Sequence, residues 1–81
     1  MKQRTLSDPD YVAIIAALRR AREERGVTQR ALAADLGQRQ SFVAKYETCE
    51  RRLDVIDLLR VCKVLGVPVR DVLPEAWRGG L

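Results

Sequence analysis

The sequence predicts an all-α domain of five short helices. Three observations predict it. Apolar residues recur at the three- and four-residue spacing of a helix, and no segment alternates as a strand does. Asp8, Thr28 and Asp54 each stand where a capping side chain opens an apolar run. Gly26, Gly37 and Gly66 each stand where such a run stops.

The first helix starts at Ser7 or Asp8, with Asp8 as the cap and Pro9 at the first helical position, where no backbone N–H is needed. It runs through YVAIIAALRRAREER and stops at Gly26, with Val12, Ile15, Leu18 and Arg22 on one face. The second helix is capped by Thr28, stapled by Val27 onto Leu32, and ended by Gly37 in the left-handed conformation. The third runs from about Arg39 to Glu47, and the loop Thr48-Cys49-Glu50-Arg51-Arg52 follows it. The fourth repeats the start chemistry, with Asp54 as cap, Asp57 in the first turn and Leu53 stapled onto Leu58. Its buried side is expected to be Ile56, Leu59, Val64 and Leu65. A short fifth helix, VRDVL, begins after Pro68 and closes the core with Val69, Val72 and Leu73. The expected organisation is an arm over 1–7, one domain over 8–74 and a loosely held tail over 75–81.

Composition excludes several classes. A chain of 81 residues has room for one small core, and at 47% hydrophobic it is not a disordered segment. No apolar run reaches the ~18 residues of a membrane span. MKQRTLSDPD lacks the apolar core of a signal peptide, so a cytoplasmic protein is expected. Two cysteines, Cys49 and Cys62, with no histidine make a poor metal site, so neither metal nor cofactor is expected. Cys62 is read as a small core hydrophobe. Without histidine, a P-loop or a dinucleotide fingerprint, an enzyme is the weakest hypothesis.

The charge is informative by its place. The net charge is +4, and residues 19–52 hold nine cations against five anions, which accounts for all of it. The segments before and after are each balanced. A basic patch centred on one motif is the footprint of a polyanion binder.

That motif is TQRALAADLGQRQSFVAKY, from Thr28 to Tyr46. Leu32, Ala33 and Leu36 form an apolar stripe, Gly37 makes a tight turn, and Val43 and Tyr46 continue the stripe. Gln40, Ser41 and Lys45 lie between the apolar positions of the second of the two helices, and such side chains bond base edges or phosphates. Two short helices with a glycine turn and a polar outward face describe a helix-turn-helix.

From Leu18 to Leu73 the chain resembles the phage-repressor, Cro and XRE-like family of bacterial and phage regulators. LRRAREERGVTQRALAADLG resembles the family's first two helices, and QSFVAKYE followed by RRLDVIDLL its recognition and fourth helices. The resemblance implies a DNA-binding domain of the phage-repressor type. It implies that Gln40, Ser41 and Lys45, with Arg39 just before them, face base edges. It implies phosphate contacts at Gln29 and Arg30, beside the Thr28 cap, and at Arg51 and Arg52 in the loop. It further implies a buried ion pair between Arg22 and Glu47 that fixes the angle of the recognition helix.

Three residues depart from the family pattern. Cys49 replaces the usual glycine after the recognition helix, Glu50 adds negative charge beside the expected DNA path, and Arg39 stands where a serine or threonine caps. Phe42 has three readings, a thymine-methyl contact, a shield over the base of the second helix or packing in a dimer, and the packing role is favoured because large apolar side chains lose most by staying wet. Trp77 has two, an interface or a lid near Leu73.

The resemblance implies a homodimer on double-stranded DNA, with dimer contacts drawn from the fifth helix, Trp77 or the arm with Tyr11. The alternative is an antitoxin or protein-interaction module built on the same fold.

Overall fold

The computed structural model describes residues 7–79. Four α-helices follow one another: α1 (Pro9–Glu24), α2 (Gln29–Leu36), α3 (Gln40–Glu47) and α4 (Val55–Leu65). Two 3₁₀ turns, Val69–Val72 and Glu75–Trp77, complete the chain, and no strand occurs among the described residues. The expected fifth α-helix is therefore a 3₁₀ turn. Pro68 and Pro74 bracket too short a segment for a ladder of i→i−4 bonds, and the tighter i→i−3 turn takes its place.

Local chemistry sets where the helices begin. Asp8 accepts from the N–H groups of Asp10 and Tyr11, Thr28 from Ala31 and Asp54 from Asp57. Arg39 occupies the cap position of α3 without a side-chain bond, so its guanidinium stays available.

All four helices end in one motif. In α2 the N–H of Gly37 bonds Ala34 and that of Gln38 bonds Ala33, with Gly37 at φ 69°. A Cβ at Gly37 would meet nothing within 4 Å, so the backbone angle, not space, selects glycine there. In α3 the same two bonds run from Cys49 to Tyr46 and from Glu50 to Lys45, with Cys49 at φ 63°. Cys49 is the one described non-glycine residue with a positive φ, a conformation that costs a side chain ~1 kcal/mol. The turn that carries Arg51 past the end of α3 holds despite that cost.

Ile15, Leu18, Leu32, Val43, Tyr46 and Val61 form the centre of the core, each at most 2% exposed. Two expected facings differ. Val12 is exposed, and Tyr11 and Ile14 pack on the core instead. In α4 the inward face is Leu58, Val61, Cys62 and Leu65, while Ile56, Leu59 and Val64 are exposed. Only Asp57, Arg60 and Lys63 interrupt its apolar residues, so the apolar arc is wide enough to fit two inward faces, and packing against α1 and α2 selects one.

The carboxy-terminal segment is tied to the start of α1, because the indole N–H of Trp77 donates to Asp10 at 2.9 Å. Arg78 donates to the Leu73 carbonyl at 2.9 Å. No helix among the described residues is long and apolar enough to cross a membrane.

Candidate nucleic-acid interface

α2 and α3 pack on each other through Leu32, Ala33, Val43 and Tyr46, all buried. That contact leaves one polar face of α3 outward. Gln40, Ser41 and Lys45 are exposed on it, and Arg39 precedes them, also exposed. The side chains of Arg30, Arg39, Gln40, Ser41, Lys45 and Arg52 make no hydrogen bond or ion pair within the described residues. They are unengaged donors on a basic surface.

Two shallow recesses flank α3. One, of about 480 Å³, is lined by Arg39, Ser41, Phe42, Lys45 and Arg51 among others. The other, of about 490 Å³, is lined by Arg22, Thr28, Gln29, Arg30 and Gln40. Residues expected from sequence to face bases thus gather with Arg51 on one side. Residues expected to hold phosphate gather on the other, and Gln40 stands at their border. Arg52 is exposed and lines neither recess.

The second recess lies at the N-terminus of α2, where free N–H groups and the helix dipole favour an anion. Thr28 accepts from Ala31 at 3.0 Å, which leaves its hydroxyl hydrogen to donate outward. Gln29 is half-buried and donates at 2.9 Å to Glu47. One of its amide hydrogens is thus committed inside the protein, and the other is left to donate outward.

Glu47 closes α3 and is the hub of this support. Arg22 Nε donates to one of its oxygens at 2.7 Å and Arg22 Nη2 to the other at 3.1 Å. The two side chains are 10% and 1% exposed, so this is a buried, bidentate pair. Arg22 Nη1 also donates to the Val27 carbonyl at 2.7 Å. The hydrogen bond to Glu47 holds the Arg22 guanidinium above its ordinary pKa, outweighing the opposite effect of burial. A single network therefore joins α1, the turn before α2, the start of α2 and the end of α3. Beside it, burial pushes the Tyr46 phenol up, and the Glu47 carboxylate adds to the rise. The Tyr46 hydroxyl is buried without a hydrogen-bond partner among the described residues.

Phe42 resolves toward packing, being only 6% exposed. It meets Tyr46 edge-to-face, with ring centroids 5.7 Å apart at 67°. The Arg51 guanidinium sits 4.9 Å over its ring. Phe42 is thus a platform that holds a cation beside Lys45, a role its sequence position did not reveal. Across the turn, the Thr48 hydroxyl donates to the Glu50 carboxylate at 2.9 Å. The bond engages one Glu50 oxygen and holds the carboxylate against the turn.

The Tyr11 hydroxyl accepts from the backbone N–H of Leu53 at 2.9 Å. It thereby pins the far end of the Thr48–Leu53 loop to α1. Among the described residues no group of acidic, cysteine or histidine side chains is placed to hold a metal ion.

The helix-turn-helix family model matches residues 18–72. An XRE-family like protein from Pseudomonas syringae pv. tomato str. DC3000 is 42% identical, with a TM-score of 0.77, over 85% of this chain and 84% of that one. No curated protein matches the chain. The matched span contains the Arg22–Glu47 network and both recesses beside α3. This chain belongs to the XRE-type helix-turn-helix family of DNA-binding regulators.

Proposed function

We propose that the chain is a sequence-specific regulator that binds double-stranded DNA as a homodimer on a pseudo-palindromic operator, with α3 in the major groove. The observation that carries this reading is the unengaged polar face of α3, flanked by Arg39 and Arg51. Gln40 suits adenine, which it bonds in bidentate fashion, and Lys45 suits guanine acceptors. Ser41 is permissive. Thr28, Gln29 and Arg30 on one side, and Arg51 and Arg52 on the other, bind phosphates and set the register. A single α3 covers only a few base pairs, so a two-fold pair of copies extends the site.

The test separates the two groups. Gln40→Ala and Lys45→Ala are expected to lose ~1–3 kcal/mol each on a preferred duplex and to relax preference at particular positions. Arg30→Ala and Arg52→Ala are expected to weaken every duplex alike and to flatten the salt dependence by about one unit of slope each. Fluorescence anisotropy titrations at several salt concentrations measure both. Equal, sequence-blind losses in the two groups contradict the assignment. Binding that is weak on every duplex and flat in salt supports a protein-interaction role for the same fold.

A further inference from the structure

The recess of about 480 Å³ beside α3 differs from its neighbour in charge. Arg39, Lys45 and Arg51 line it with Ser41 and Phe42, and no acidic side chain does. None of the three cations has an ion pair among the described residues. Glu50, next to Arg51 in the chain, turns its carboxylate onto the Thr48 hydroxyl. At the other recess Glu47 neutralises Arg22, and Arg30 is the one lining cation without an ion pair among the described residues. We propose that the first recess binds a free polyphosphate chain of three or more phosphoryl groups, inorganic or carried by a nucleoside, and that this ligand and duplex exclude each other. The exclusion rests on the DNA reading above, whereas the site itself does not.

Three observations support a polyphosphate. Lys45 stands about 9 Å along the helix axis from Arg39, and Arg51 lies past the turn that ends α3. A lone phosphate reaches one or two of these cations, whereas linked phosphoryl groups run from one to the next. Next, Arg51 is ordered before any ligand arrives, because its guanidinium rests over the Phe42 ring at 4.9 Å. Binding therefore loses little side-chain entropy there. Last, Arg39 occupies the cap position of α3 without a side-chain bond. Its guanidinium and the open N–H groups of the first turn thus lie together at one end of the recess, where the helix dipole is positive.

Competition follows from the donors. A polyphosphate concentrates several negative charges in the space of the recess, and a duplex against α3 needs the same Arg39, Ser41, Lys45 and Arg51. A rise in free polyphosphate therefore releases the chain from DNA.

The first test omits DNA. The full chain is titrated with sodium triphosphate at constant ionic strength, and amide and guanidinium N–H signals are followed. Saturable one-to-one binding is expected, with shifts centred on Arg39–Lys45 and Arg51. Orthophosphate at the same ionic strength is expected to bind roughly ten-fold more weakly or worse. Arg39→Ala, Lys45→Ala and Arg51→Ala are each expected to weaken triphosphate roughly ten-fold, the size of one charge-assisted hydrogen bond. Arg30→Ala and Lys63→Ala remove the same charge elsewhere and are expected to stay within about two-fold of the wild type. A nucleoside triphosphate separates the two sources: equal affinity supports recognition of the chain alone, and tighter binding supports a nucleotide. Scattered shifts, orthophosphate as tight as triphosphate, or five variants that lose alike overturn the proposal. Saturating triphosphate is then expected to cut duplex affinity roughly ten-fold beyond the loss caused by sodium chloride of equal ionic strength. Triphosphate held at the recess with duplex affinity unchanged would instead count against α3 as the helix that meets DNA, because the site is decided without duplex.

Discussion

Glu47→Ala is expected to destabilise the fold by ~3–5 kcal/mol, the largest effect of any single polar substitution in this chain. Its carboxylate accepts three hydrogen bonds, two from Arg22 and one from Gln29. Removing it leaves a guanidinium whose side chain is 10% exposed with the Val27 carbonyl at 2.7 Å and, at 3.9 Å, the half-exposed Glu23 carboxylate as its remaining partners. Water reaches that position poorly, so the charge is not resolvated. Arg22→Ala should cost a similar amount, because the carboxylate left behind is 1% exposed. The surface pair Arg19–Glu23 provides the contrast. It is formed at 3.1 Å, but both side chains are about half exposed, and its loss should cost under ~1 kcal/mol. Replacing both members of the buried pair, as in Arg22→Met with Glu47→Leu, should recover much of the loss, since no isolated charge remains. Urea unfolding of the five proteins measures these differences. Single variants no weaker than Arg19→Ala would show that the network does not hold α3 in place.

Phe42→Ala is expected to cost ~3–5 kcal/mol, as large aromatic truncations in cores do. The ring is 6% exposed and its edge-to-face contact with Tyr46 disappears with it. A second consequence follows on the face proposed to meet DNA. Arg51 loses the ring it stacks on, so its guanidinium is free to move, and a phosphate contact must then order it. Phe42→Leu separates the two effects. It keeps most of the buried volume and removes the π-face, so it should lose ~1 kcal/mol or less in the core. It should nevertheless weaken duplex binding nearly as much as Arg51→Ala does. Unfolding and anisotropy measurements on the same samples distinguish them. A Phe42→Leu chain that binds duplex like the wild type would remove Phe42 from the DNA-binding machinery.

The parts of this fold that sequence made legible are those set by neighbouring residues. Asp8, Thr28 and Asp54 cap because their oxygens reach N–H groups two or three residues on, whatever the rest of the chain does. Gly37 and Gly66 end helices for an equally local reason, their backbone angle. Cys49 shows the same rule from the other side, since the motif forms there without glycine.

What was not legible depends on distant packing. The outer and inner faces of α4 are both apolar, and only the neighbouring helices distinguish Leu58, Val61 and Leu65 from Ile56 and Leu59. The stacking of Arg51 on Phe42 leaves no periodic trace, because a left-handed turn intervenes. The bond from Gln29 to Glu47 joins positions 18 residues apart, and the resemblance implied only a phosphate role for that glutamine.

The central claim is that the outward face of α3 reads base edges. Selection of bound duplexes from a random pool tests it most directly. The account predicts an enriched sequence with two inverted half-sites about 10 base pairs apart, and a changed preference within each half-site when Lys45→Ala is selected in parallel. A wild-type pool that stays random, or one identical to the Lys45→Ala pool, would contradict it.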